Sequence, residues 1–186
     1  MPLPFLLIDG YNLLHAAGLA QESYGPGDLE ACRNRLLRQL SLRLDGAVVT
    51  RTTVVFDAFA SEDGSDLQQT RHDLKVVFAP PGTDADSEIE RTIVRHDAPR
   101  QLLVVSSDHR LHRAARRRKC QAVDSEPFWE SLQDMDSSES IRSSPAQQNT
   151  AFWLREFGTG EDADTAKAAD DIFGADYLSD LESELE

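Results

Sequence analysis

Apolar runs and polar breaks alternate along the first two thirds of the chain. Residues 3–8 read as a buried strand, and the same reading holds for 52–56, for Leu74-Lys75-Val76-Val77-Phe78, for 101–106 and for a shorter run over 120–123. Between them the period changes. Leu29, Leu36, Leu37, Leu40 and Leu44 recur at helical spacing and predict a helix over 28–44, with Asp28 as its N-cap. Further helices are predicted around 87–97, with Ile89, Ile93 and Val94 on one face, and near 109–118. Strand and helix in regular alternation imply an α/β domain with a mainly parallel sheet and helices on both faces.

Three of the strand-like runs lead into an aspartate. Phe5-Leu6-Leu7-Ile8 runs into Asp9, Thr53-Val54-Val55-Phe56 into Asp57, and Leu102 to Ser107 into Asp108. In one parallel sheet these residues meet at the carboxyl edge, where open α/β sheets bind ligands. Clustered carboxylates repel one another unless a cation joins them, so the pattern points to a divalent-metal site. Each aspartate alone reads equally as a solvated loop residue or a helix cap. A fourth acidic cluster, Thr83 to Glu90, follows the turn Pro80-Pro81-Gly82 and opens a helix. Asp86 and Glu90, four apart, share a side of that helix if it starts early enough. The alternative is a capping box, Ser87-x-x-Glu90, with acids suiting the helix dipole.

A net charge of −14 argues against a nucleic-acid binder, but the average misleads. Residues 134–186 hold 14 acidic and 3 basic residues, which leaves 19 acidic against 16 basic in residues 1–133. The asymmetry marks off an acidic tail. The expected organisation is a domain over 1–133, a Ser-rich linker over 134–150 and an acidic tail over 151–186 with an aromatic segment, Phe152-Trp153-Leu154 and Phe157. Cys32 and Cys120 have neither metal-ligand spacing nor a disulfide framework, and read as free thiols in a reducing cytoplasm. The opening residues lack a basic leader and no apolar run is long enough for a bilayer, so a cytoplasmic protein without a membrane span is expected.

Other chemistries find little footing. The chain has no Gly-rich phosphate loop and no G-x-S-x-G elbow. His109 and His112 lie three apart and read as a surface pair beside basic residues, while His15, His72 and His96 have no obvious partners.

With these residues in place, the sequence resembles the NYN domain, a branch of the PIN-like nucleases. Asp9-Gly10-Tyr11-Asn12 looks like its opening motif and Val55-Phe56-Asp57 like its second. Ala85-Asp86-Ser87-Glu88-Ile89-Glu90 is similar to the A-D-x-x-I-E motif of the YacP-like members, and Val105-Ser106-Ser107-Asp108 to their V-T-S-D motif. The resemblance spans 5–133. It implies a Rossmann-like three-layer α/β/α sandwich and cleavage of RNA with Mg²⁺ or Mn²⁺, one or two ions. It carries metal-site and catalytic roles onto Asp9, Asp57, Asp86 and Asp108, with Asn12 orienting Asp9 or a water, and Glu90 and Ser107 in support. Serine at 106 in place of threonine keeps the hydroxyl. Asp84 and Glu88 are acids the motif does not require and are expected to face solvent.

The expected reaction is in-line attack of water on a phosphodiester, leaving a 5′-phosphate and a 3′-hydroxyl. RNA is expected along the helix after Asp108, where Arg110, Arg113 and Arg117 fall on one face; the competing reading is a solvated helix whose late cations suit the dipole. Arg33, Arg35, Arg38 and Arg43 on the long helix are expected to be ordinary surface charge. Tyr11 either stacks on a base or packs beneath its loop. The tail docks back, binds a protein or ribonucleoprotein partner, or competes with RNA for the basic helix. Rival functions on the same pattern are a non-catalytic RNA-binding or adaptor protein, and a metal-dependent phosphatase for small molecules.

Overall fold

The computed structural model describes residues 3–21, 23–25, 27–57 and 67–138, with side chains through 134. Within them lie strands β1 (Phe5–Asp9), β2 (Thr52–Phe56), β3 (Gln68–Arg71), β4 (Leu74–Phe78), β5 (Leu102–Val105) and β6 (Gln121–Val123). The helices are α1 (Gly10–Ala16), α2 (Asp28–Arg43), α3 (Gly46–Val49), α4 (Ala85–Arg95), α5 (His109–Arg117) and α6 (Ser125–Ser138).

The strands form one sheet in the order β3-β4-β2-β1-β5-β6. Only the β3–β4 pair is antiparallel. Both faces are covered, which is why the inner strands are almost unbroken apolar runs. The two-residue period of a strand divides their side chains. Leu6, Ile8, Val54, Phe56, Val76, Phe78, Leu103 and Val105 form a core with α1, α2, α3 and α6. Leu7, Val55, Val77, Leu102 and Val104 pack against Ala85, Ile89 and Ile93 of α4 and Leu111 and Ala115 of α5. The result is the expected three-layer α/β/α arrangement, with β1 at its centre. Ile8 lies opposite Val54 on one side and Val105 on the other.

Several local expectations need correction. Asp28 is the first helical residue of α2; the cap is Gly27, at φ 85°, a left-handed conformation that glycine adopts without a Cβ penalty. Asp28 instead accepts the Gly25 N–H at 2.9 Å. Helix α4 starts earlier than predicted, and its cap is Asp84, which accepts the Ser87 N–H at 2.7 Å. The box Ser87-x-x-Glu90 is therefore not formed. Val94 is 62% exposed, because the buried stripe of α4 runs Ala85, Ile89, Ile93 and a further 100° turns Val94 out of it.

Four elements were not anticipated. β3 is polar and lies at the sheet edge, joined to β4 through His72 and Asp73, both at positive φ as a tight mirror-image hairpin turn requires. α1 and α3 are too short to show a period. α6 buries Phe128, Trp129 and Leu132, and it runs past residue 133.

Candidate active site

The carboxyl ends of β2, β1 and β5 lie side by side, and Asp9 is the centre of what they carry. It closes β1 and caps α1, with Oδ1 accepting the N–H groups of Tyr11 and Asn12, each at 3.1 Å. Oδ2 accepts from Asn12 Nδ2 at 2.5 Å and from Ser106 Oγ at 3.1 Å. Ser106 is fully buried. Its hydroxyl also accepts from Asn12 Nδ2 at 3.2 Å and from the Asp108 N–H at 3.1 Å. One donor and two acceptors are thus all in use. Asp108 in turn caps α5 by accepting the Arg110 N–H at 2.7 Å. The capping reading and the site reading hold together for Asp9 and Asp108.

The tight helix start demands Gly10. A Cβ there would lie 2.2 Å from Cε1 of the buried Phe56 ring.

Asp86 faces this group from the first turn of α4. Its carboxyl is raised to about 6, first by burial, then by the charges of Asp9, Asp108 and Asp84 and by a hydrogen bond with Asp108. Asp84, held by Ser87, is shifted the other way. Asp57 has a different place. Its Oδ1 accepts the Ala85 N–H at 2.7 Å, bracing the start of α4, and its charge is felt by Tyr11. The structure therefore links Asp9 to Asp108 through Asn12 and Ser106, brings Asp86 against Asp108, and turns the Asp57 carboxylate to the start of α4.

The side chains that meet here offer the oxygen donors a hard cation takes, and the charges of Asp9 and Asp108 add to burial in raising the Asp86 carboxyl. Among the described residues, no three His, Cys, Asp or Glu converge as a ready-made metal cage. That is compatible with Mg²⁺, which takes one or two carboxylates and retains waters.

The other expected positions divide. Glu90 is held by Arg110 across the α4–α5 seam. Ser107 points away from the aspartates: it donates to Glu126 at 2.8 Å and accepts the Ser125 N–H at 3.1 Å, so the serine in the acidic network is Ser106. Arg113 and Arg117 are exposed on α5. His109 and His112 do meet, edge to face at 6.2 Å. His112 Nε2 lies 2.5 Å from the Ser106 carbonyl oxygen and 3.4 Å from Asp124 Oδ1, two acceptors that assign the proton to this nitrogen. Tyr11 is half-buried, with its ring edge-on to Phe56 at 5.9 Å.

Arg33 corrects the expectation of surface charge. It is buried, because three aromatic rings of neighbouring elements form a slot for it. It donates to Tyr11 Oη at 2.9 Å and to the Asp57 carbonyl at 2.8 Å. The signal was in the sequence: position 33 stands four from both Leu29 and Leu37, on the apolar face of α2.

Two surface hollows, of about 370 and 340 Å³, are lined by residues such as Phe5, Arg91 and His96, and by residues such as Thr50, Gln68 and Lys75. Neither is lined by the acidic group, which sits on the open sheet edge. Most of the linker and all of the aromatic and acidic tail expected over 134–186 lie outside the described residues. Among the described residues, no helix is long and apolar enough to cross a membrane.

The model of the YacP-like NYN domain family matches residues 6–156, a span that includes most of the aromatic segment. Two crystal structures of Rae1 (YacP) from Bacillus subtilis are similar. A single-substitution variant has 21% identity and a TM-score of 0.58, covering 74% of this chain and 80% of that chain. The unsubstituted protein has 22% identity and a TM-score of 0.57, covering 73% and 77%. At these identities the likeness is one of fold. No curated protein matches the chain in sequence.

Proposed function

This chain belongs to the YacP-like NYN domain family, a family with a nuclease fold, and from that premise we propose that it is a divalent-metal-dependent endoribonuclease. The observation that carries the reading is the gathering of three aspartates on the open sheet edge, Asp9 and Asp108 joined through Asn12 and Ser106 and Asp86 meeting Asp108, at the start of an arginine-rich helix. A binding module has no need of such mutually repelling carboxylates.

Asp9, Asp86 and Asp108 would hold Mg²⁺ or Mn²⁺. A bound ion supplies a polarised phosphoryl oxygen and a more acidic water, the two things that hydrolysis of an anionic diester requires. The chain's own residues do the rest. Asn12 and Ser106 fix the orientation of the Asp9 carboxylate through Oδ2. Asp86, whose carboxyl holds a proton more readily than an ordinary aspartate while no ion is bound, would give that proton up to a bound ion and add its charge to the site. Asp57 acts through α4, whose start it braces. Arg113 and Arg117 draw the RNA backbone along α5. Tyr11 supports the cleft floor beside Phe56.

The test is incubation of mixed RNAs with the full chain and Mg²⁺. Internal cleavage leaving 5′-phosphates is expected, with loss of cleavage in EDTA and in Asp9→Asn. Cleavage that persisted under either condition would refute the assignment.

A further inference from the structure

Arg33 places a guanidinium inside an apolar wall. Its Cζ lies 5.7, 5.2 and 5.2 Å from the ring centres of Tyr11, Phe56 and Phe78. Glu30 Oε2 is 3.8 Å from Nη1. Removing an arginine from water is costly, and a methionine would fill the same slot without that cost. Core packing alone therefore does not account for the residue.

Its hydrogen bonds do. Nη2 donates both to Tyr11 Oη, in the first turn of α1, and to the backbone carbonyl of Asp57. Asp57 lies just past the last ladder pair of β2 with β4, Phe56 opposite Phe78; the strand's last bonded carbonyl is that of Phe56, which accepts the Ala79 N–H at 2.8 Å, and the next one, of Asp57, is held by Arg33. The same Asp57 uses its carboxylate to hold the Ala85 N–H. A short relay thus runs from Arg33 through Asp57 to the residue before Asp86, while a second branch reaches the turn that carries Asn12.

We propose that Arg33 is a positioning residue, which fixes the end of β2 and the start of α1 from below and, through Asp57, sets Asp86 against Asp9. The proposal rests on the metal-dependent nuclease reading only for its consequence; the relay itself is testable in metal-free protein.

The experiment compares the full chain with Arg33→Met, Arg33→Lys and, as a control on the same helix, the exposed Arg38→Met. Amide hydrogen exchange is followed without metal, and Mn²⁺ affinity is read from the free-ion electron paramagnetic resonance signal. In Arg33→Met, exchange at Tyr11, Asn12 and Ala85 is expected to rise roughly tenfold, the scale of one net hydrogen bond. Amides of β4 and β5 keep their rates. Mn²⁺ affinity should fall about 10- to 100-fold, as when an outer-shell partner of a metal ligand is lost. Arg33→Lys should fall between, since an ammonium lacks the planar fork. Arg38→Met should match the wild type. Uniform acceleration of all core amides, or unchanged exchange at Ala85, would overturn the proposal. If the wild type cleaves no RNA with either ion, the nuclease reading fails, while the exchange pattern still decides for or against Arg33.

Discussion

Arg110 grips Glu90 with two parallel hydrogen bonds, Nε to Oε1 at 2.8 Å and Nη2 to Oε2 at 3.0 Å. The pair bridges α5 and α4 at the rim of the acidic group. Both side chains are partly exposed, so the pair adds little to stability. On the proposed function its effect is on recognition, because an arginine neutralised by Glu90 would release few counterions to a bound RNA. In Glu90→Gln, Arg110 becomes available to a phosphate. The plot of log affinity against log salt for single-stranded RNA should then steepen by about 0.7, the increment for one phosphate contact. The melting temperature should hardly move. An unchanged slope would mean that Arg110 already contacts RNA or never does.

Asp86 makes the stability of the metal-free protein depend on pH. Its carboxyl is raised from 3.8 to about 6 in the folded state. The folded protein therefore holds this proton more tightly than the unfolded chain. The stabilisation is complete below pH 3.8 and is lost as pH rises through 6. Asp86→Asn cannot lose it. Melts in EDTA should show the variant gaining on the wild type as pH rises from 3.8 to about 6 and keeping a constant lead above. The lead is modest, since the group is only partly buried. Mg²⁺ should erase it, and Mg²⁺ affinity of the wild type should climb over the same interval.

Ser106 donates to Asp9 and accepts from Asn12 and the Asp108 N–H. Ser106→Ala leaves these three groups short of a partner in a buried place, at a cost of about 1–3 kcal/mol. Cleavage should fall with it, because Asp9 loses one of the bonds that orient it. Ser106→Thr keeps the hydroxyl and should retain most activity and stability. Parallel melts and single-turnover cleavage of the two variants separate the hydroxyl from the volume of the side chain.

Much of this site was legible in the chain because parallel strands share a direction. Runs ending at Asp9, Asp57 and Asp108 bring those residues to one edge once β2, β1 and β5 prove to be neighbours. Sequence spacing did not reveal how the labour divides. Whether Asp57 turns its carboxylate to the cluster or to the Ala85 N–H depends on where α4 begins, and α4 begins at a cap, Asp84, whose sequence context suits solvated surface equally well. The same limit explains Glu90, whose partner lies on another helix. It explains Ser107 too, since α6 supplies Ser125 and Glu126 and was not anticipated, although Phe128, Trp129 and Leu132 carry a helical period. β3 could not be foreseen from apolarity, since Gln68-Gln69-Thr70-Arg71 has almost none. Arg71 reaches Asn34 at 2.9 Å and also pairs with Glu30, polar contacts that leave no hydrophobic trace.

Gly10 ties the first motif to the core, and its replacement gives the sharpest packing test. A Cβ built there meets Phe56 at Cε1 2.2 Å, Cδ1 2.4 Å and Cζ 2.7 Å. The ring has little freedom to yield, since it is fully buried, stacks on Phe78 at 6.1 Å and meets Tyr11 edge-on. Gly10→Ala must therefore lift α1 or displace Phe56, and overpacking of this kind costs about 1–3 kcal/mol. A lift would carry Tyr11 and Asn12 away from Asp9 Oδ1, so activity should fall by more than the loss of folded protein explains. Adding Phe56→Leu removes the colliding ring edge. If the clash is the cause, Gly10→Ala with Phe56→Leu should be less destabilised than the sum of the single variants, by 0.5 kcal/mol or more, on the order expected for residues in contact. Strict additivity in urea or thermal unfolding would show that Gly10 is required for its backbone and not for the room it leaves to Phe56.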